Sequence, residues 1–527
     1  MGRAPMTAER RILLIGCLAA GAVALFLGFA LEWDLLNYHL YNPHALLHGR
    51  HAIDLAPAQM QTFLNPVLHV PGYLLFTYWH SAAAVFLTGA VQGSQLLLLY
   101  LVLAELVERD RFPAWMLLTV AALGLGGPVF LNQLGSGQGD TLLSLPVLAA
   151  LLAILRERKD PQSRRALRVG ILSGVLLGLA TALKLTMAVY AVALTASAFV
   201  LYTGSGRWKI LCGLALGGVL GAALGGGAWF AWLWRTWESP LFPYFNEIFQ
   251  SSWVNTADYR DLRFLPRHVA EWIFYPWVWF FDSLRVWEFR FRDLRIPLLF
   301  TLALFVPMIG ARWVRERRPE LLLAWLFVAI SYLLWLRLFS IYRYLAPVEM
   351  LAPLLIFATA VSIMRSRRAA ISVLVFLLIS QLLVKFDRQP STWKFQADAE
   401  TAAADLPPGA MVVIDGFEPL AYTALWLDDA VPLVRIRANF MHTDEPGHRL
   451  QERAHDRVRN HPGPRFLLLP REDQAAPFID NDLERLGLTL GDRSACQPFF
   501  RNDELQRLLG SRLCPLAARP QAGGAGR

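Results

Sequence analysis

Apolar stretches of about twenty residues recur along most of this chain and alternate with short arginine-rich segments. A stretch of that length crosses, as a helix, a hydrocarbon core of about 30 Å. In lipid every backbone polar group must be paired within the protein, which helices achieve segment by segment. The pattern predicts an all-α polytopic membrane protein with helices near 12–31, 81–106, 114–134, 141–156, 169–184, 186–203, 210–234, 296–311, 320–338, 346–364 and 369–386. That makes about eleven transmembrane helices. Hydrophobic residues are 55% of the 527, above the roughly 45–50% of soluble domains. The run 169–203 reads as two short helices with Lys184 at the turn. The first run ends in Glu32-Trp33-Asp34; it is too long for the apolar region of a signal peptide and lacks a small-residue cleavage site, so it is expected to stay in the membrane.

The arginines set the orientation. With the N-terminus inside, every inner loop is basic: Arg109/Arg111; then Arg156, Arg158, Lys159, Arg164, Arg165 and Arg168; then Arg207/Lys209; then Arg312, Arg315, Arg317 and Arg318; then Arg365, Arg367 and Arg368. The net charge of +9 is thereby read as topology rather than as a nucleic-acid surface. The expected division is a transmembrane domain 1–386 with outer loops 32–80 and 235–295, a small extracytoplasmic α/β domain 387–516 and a disordered tail 517–527. In the small domain, 411–414 and 466–469 read as strands, and 484–486 and 503–509 as helical. The aromatic segment 272–281 is suited to the membrane interface, as floor or rim of a cavity. Cys17 and Cys212 fall in spans, whereas Cys496 and Cys514 fall in the polar tail, where an extracytoplasmic location predicts a disulfide between them.

Ionisable groups at helix ends are informative because an unpaired charge in lipid is costly. Glu32, Asp34, Asp140, Lys184, Arg343 and Glu349 all map to the outer leaflet in this topology. Carboxylates and cations at one depth suit an anionic phosphate and a general base, or a divalent cation such as Mg²⁺ or Mn²⁺ with oxygen ligands. Asp140 also reads as an N-cap of the helix it begins. Arg290, Arg292, Asp293 and Arg295 form a second charged cluster, suited to a phosphate or to a solvated helix end. His39, His44, His48, His51 and His69 crowd the first loop in no structural zinc spacing, which favours a solvated or acceptor-binding role. No phosphate-cradling glycine loop or nucleotide fingerprint is present.

Glu32-Trp33-Asp34 after the first span, with the text through Pro43, Gly49-Arg50, 61–66 and 341–347, resembles bacterial members of the GT-C superfamily of membrane glycosyltransferases. The resemblance implies transfer of a sugar from a polyprenyl-phosphate carrier to an extracytoplasmic glycan, lipid or protein, with inversion, at a bacterial inner membrane. It makes Asp34 the expected catalytic base, with Glu32 second and Asp140 assisting. Arg343 and Lys184, with Tyr342, His39 and Arg292, become the expected substrate-binding residues. The alternatives are a transporter or flippase of a lipid-linked saccharide and an inactive scaffold. No internal repeat of the kind that builds many transporters is evident.

Overall fold

The computed structural model describes residues 6–158, 165–305, 318–388, 391–392, 405–442, 448–470 and 478–519. Part of the expected helix 296–311, the start of the tail, and Lys159, Arg164, Arg312, Arg315 and Arg317 lie outside the described residues. The chain groups into two compact units, each drawn from three chain segments.

The first unit comprises 1–30, 85–227 and 260–391. Its helices, of which α2 and α7 run past these bounds, are α1 (Ala8–Leu27), α2 (Ser81–Leu106), α3 (Ala114–Gly124), α4 (Gly139–Glu157), α5 (Arg165–Leu183), α6 (Ala188–Leu201), α7 (Gly204–Trp237), α8 (Val269–Phe281), α9 (Arg295–Phe305), α10 (Pro319–Leu338), α11 (Ala346–Met364) and α12 (Arg367–Leu382). Seven described helices are long and apolar enough to cross a membrane, and Ala114–Gly124, Leu185–Leu201 and Arg295–Phe305 are shorter apolar helices. The expected helix 114–134 is not continuous. It stops at Gly124, and a second short helix, Pro128–Gln133, begins after Gly126-Gly127. A proline is tolerated at a helix start, where its missing N–H has no partner to lose. α11 is the centre of this unit: Tyr342–Met364 is 83% buried against 28% for Ala8–Leu27. It packs against α2, α3, α4, α9, α10 and α12. The aromatic segment forms α8, kinked at Phe274 and carrying Pro276. It buries Tyr275 and Trp279 and exposes Trp272, Ile273 and Phe281.

α5 and α7 meet along glycine. A Cβ at Gly174 would meet the backbone of Leu214 and Gly218, one at Gly178 the backbone of Gly218, and one at Gly217 the backbone of Ile171. Lipid supplies no hydrophobic force between helices, so close backbone approach through small residues is what holds such a pair.

The second unit comprises 31–84, 228–259 and 392–527. This redraws the expected division at 386/387: the first outer loop and much of the fourth share a compact unit with the tail. The physical reason is one apolar core. Leu55 and Phe63, Trp237 and Phe242, and Val413 and Leu467 belong to the same buried cluster. The tail supplies a sheet of β1 (Met411–Ile414), β2 (Leu433–Arg435), β3 (Arg465–Leu469), β4 (Leu488–Leu490), β5 (Gln497–Pro498) and β6 (Arg512–Ala518). The strand order is β2-β1-β3-β6-β4, with β5 also on β6; β1 is parallel to β2 and β3, and β6 is antiparallel to its neighbours. Leu55 extends the β2 edge through backbone hydrogen bonds with Leu433 and Arg435, each 3.0 Å. The helices are α13 (Arg449–Arg459), α14 (Ile479–Arg485) and α15 (Asp503–Leu509). The expected helical piece 484–486 is therefore the end of α14, and Leu486 lies just past it. Asn502 caps α15, accepting from the amides of Glu504 and Leu505 at 2.9 and 3.1 Å. The expected disordered tail starts too early, because Ala517 and Ala518 pair with Thr489 and Leu488 in the sheet; residues from 520 lie outside the described residues. Cys496 and Cys514 are joined as a disulfide.

The glycine contact is open to test. Gly217→Leu would force a side chain into the Ile171 backbone, and the expected loss, by overpacking, is about 1–3 kcal/mol. Thermal unfolding of the detergent-purified protein would show it, whereas Gly227→Leu, where a Cβ meets only the edge of Ala223, should be near neutral.

Candidate active site

The first unit gathers Asp140, Lys184 and the segment around Arg343. Asp140 is the second residue of α4 and fully buried. The cap residue is Gln138, so the N-cap reading of Asp140 is corrected: its carboxylate serves side chains instead. Lys184 Nζ lies 2.5 Å from Oδ1, an ion pair by distance, and Gln133 Nε2 donates to Oδ2 at 2.9 Å. Around them is a closed polar lattice. Gln133 Oε1 accepts from the Thr141 amide (3.1 Å), Gln92 donates to Gln133 O and Thr141 Oγ1 (both 2.9 Å), and Gln92 Oε1 accepts from the Gly135 amide (2.8 Å). Gly135, at φ 76°, turns the chain from the short helix Pro128–Gln133 back to α4 as only a residue without Cβ does easily.

Lys184 sits where α5 stops, with extended backbone angles, as the break in 169–203 requires. Its ammonium lies 5.2 Å from the centre of the Tyr344 ring, and the Arg343 guanidinium lies 5.4 Å from the same ring. Both distances are within cation–π range. Tyr190 fixes this turn by donating to the Tyr344 carbonyl at 2.5 Å. Lys184, held by Asp140, and Arg343 thus meet at one aromatic ring.

Other expected residues of this unit play supporting parts. Tyr342, an expected substrate-binding residue, is fully buried, its ring 4.2 Å from Phe291 and 5.8 Å from Trp279. Arg292 is exposed, 5.7 Å from the Phe280 ring, on a strand paired with Lys385–Phe386. Asp293 and Arg295 are a buried pair at 2.6 Å, and Arg295 also donates to the Leu123 carbonyl, so these two members of the charged cluster form an internal tie, whereas Arg290 is exposed like Arg292. Glu349 accepts from the amides of Val129 and Phe130 (3.2 and 3.3 Å), closing the start of the short helix.

The second unit holds Glu32, Asp34 and His39. Asp34 precedes a π-helical turn, Leu35–His39, a geometry often found at functional positions. Glu32 and Asp34 are 5% and 9% exposed, which is unusual for loop carboxylates. Glu32 Oε1 lies 3.8 Å from His39 Nδ1, and the His39 ring stacks on His69 at 4.0 Å with Tyr38 at the edge of both. The polar residues quoted from the loop build its frame: Asn37 donates to the Ala58 carbonyl and Asn42 to that of Gln61.

Sequence reasoning missed the pair that locks this loop. Arg50, 1% exposed, forks onto Asp54 (3.0 and 3.1 Å) and donates to the Val431 carbonyl; Asp54 also accepts from Tyr41 and from the Leu433 amide. Burial raises the Asp54 carboxyl, and Arg50 opposes the rise. Gly49 at φ 68° directly before Arg50 was the available signal. Burial lowers His51, set against Trp229 and Trp232, to about 4. It lowers His44 to about 3, with His48 and Arg50 adding to the fall and the Ala424 carbonyl the least of the influences. Both rings are neutral at physiological pH. For Mg²⁺ or Mn²⁺ the fit at Asp140 is poor, because Lys184 and Gln133 already occupy its oxygens.

The sequence profile of glycosyltransferase family 87 matches residues 63–340. That range contains Asp140, Lys184 and Arg292 and stops short of Glu32, Asp34, His39, Tyr342 and Arg343. The fold is similar to the crystal structure of ArnT from Cupriavidus metallidurans bound to undecaprenyl phosphate, with a TM-score of 0.54 and 15% identity across 98% of this chain and 100% of that one. No curated protein matches.

The Asp140 pair makes its own prediction. Lys184→Met strands a buried carboxylate, and removing one partner of a buried pair costs about 3–5 kcal/mol. Adding Asp140→Asn should restore most of the lost stability, measurable as the unfolding midpoint of the single and double variants.

Proposed function

Because the chain belongs to glycosyltransferase family 87, a GT-C-type family, we propose that it moves a sugar from a polyprenyl-phosphate carrier to an extracytoplasmic acceptor with inversion. The family match over 63–340 carries this reading and favours transfer over transport of a lipid-linked saccharide. Support for the carrier comes from the similar fold of ArnT, solved with undecaprenyl phosphate, and from the two cations around Tyr344.

In the proposed reaction the carboxylate of Asp34 takes the proton of an acceptor hydroxyl. The acceptor oxygen forms a bond to the anomeric carbon, and the bond from that carbon to the phosphate oxygen breaks. The polyprenyl phosphate leaves with the electron pair. Negative charge grows on the phosphate, so cations placed there stabilise the transition state more than the ground state. Arg343 supplies a planar fork and Lys184 a point charge for that role. Glu32 orients His39 toward the acceptor. The proposed setting is a bacterial inner membrane crossed about eleven times, with the N-terminus cytoplasmic and the tail unit periplasmic.

Transfer of labelled sugar from a polyprenyl-phosphate donor in reconstituted membranes tests the roles. Asp34→Asn should lower turnover by about 10²–10⁴ with donor affinity retained. Arg343→Ala should weaken donor binding by about 1.5–3 kcal/mol. Full transfer by folded Asp34→Asn would move the base to Glu32 or Asp140. For the orientation, a reporter active only in the periplasm and fused after Arg519 should be active; activity of a cytoplasm-only reporter there would overturn the topology.

A further inference from the structure

His44 and His48 lie one helical turn apart, on the last turn and the cap of the short helix Tyr41–Leu47, with rings stacked at 4.2 Å. Asp429 comes from the turn before β2, in the same unit but almost four hundred residues along the chain. Buried Arg50 brings it there, donating to the Asp428 and Val431 carbonyls at 3.3 and 2.8 Å. One ligand atom from each of His44, His48 and Asp429 lies within 4.8 Å of the others, and His48 Nδ1 is 3.4 Å from Asp429 Oδ2.

These distances suit a metal. A tetrahedral ion with bonds of about 2.0–2.1 Å holds its ligands about 3.4 Å apart. One edge of the cluster already has that length, and the others, within 4.8 Å, need a closure of at most about 1.4 Å, which the exposed His48 and Asp429 can supply. His44 is 5% exposed and its Nδ1 meets the Tyr73 hydroxyl at 2.9 Å, which leaves the buried Nε2 as the nitrogen that would face the ion. A hydrogen bond on one ring nitrogen is how ligating histidines are oriented and their other nitrogen presented to the ion. The opposing charge is Arg50, 3.8 Å from the other Asp429 oxygen, and Asp54 neutralises it through two hydrogen bonds.

We propose that His44, His48 and Asp429 form a binding site for a divalent transition metal of the zinc class, which ties the first outer loop to the turn before β2. Two imidazoles and one carboxylate suit zinc and its neighbours; Mg²⁺ prefers oxygen in octahedral array. His48 and Asp429 are exposed, which leaves a fourth position for water. The site does not depend on the transferase reading, and its test does not use transfer.

Full-length protein without a histidine tag, purified in detergent and stripped with a chelator, would be titrated with zinc chloride alone. One equivalent should bind, and the unfolding midpoint should rise with zinc but not with magnesium, as ligand linkage requires. Cobalt in its place should give the visible absorption of a tetrahedral ion. His48→Ala and Asp429→Ala change exposed side chains, so the fold survives while affinity falls at least tenfold. Tyr73→Phe should weaken binding ten- to a hundredfold. No zinc binding by the wild type, or undiminished binding in a His48→Ala/Asp429→Ala double variant, would overturn the proposal.

Discussion

Hydrocarbon offers no hydrogen bonds, so every polar group in a membrane-spanning unit must be answered by another part of the protein. The lattice of Gln92, Gln133, Asp140, Thr141 and Lys184 satisfies that demand. It also fixes the break in 169–203, because Lys184 reaches Asp140 only where α5 stops and the backbone extends. The turn that carries Arg343 and Tyr344 is pinned by Tyr190 from the next helix. A charge that had to be buried thus organises the polar edge of an otherwise apolar helix bundle.

Much of this unit was legible in the sequence because lipid imposes one rule on every span. Helix positions follow from apolar length alone, and the break at Lys184 follows from a charge in an apolar run. The interruption after Gly124 was marked only by Gly126-Gly127-Pro128, against a hydropathy over 114–134 that is that of a continuous span. What splits it is tertiary, with Glu349 closing a new helix start from a distant helix.

The second unit was less legible. Met411–Ile414 and the strand around 466–469 announce themselves as apolar runs, but Leu433–Arg435 is too short to stand out and Arg512–Ala518 carries proline and alanine. Their strand character comes from their neighbours in the sheet. The union of the loops with the tail was hidden for a similar reason: no local pattern reveals that Phe63, Trp237 and Val413 share a core. Among the candidate residues, charge made Asp34, Asp140, Lys184 and Arg343 visible. Arg50 stood out only as part of the Gly49-Arg50 likeness and Asp54 not at all, yet the two form the internal lock.

β6 lies inside the sheet, between β3 and β4, although it is the last strand of the described chain to be synthesised. Its register with β3 runs from Arg512↔Leu469 to Leu516↔Arg465, and β3, β4 and β5 each lack a partner until it arrives. Open edges invite pairing with other chains. The loops of this unit emerge long before that strand, and their core cannot close without β1 and β3. The core those loops join is therefore completed only by strands far along the chain, and a chain that lacks β6 exposes unpaired strand edges, which makes it a ready substrate for proteolytic quality control.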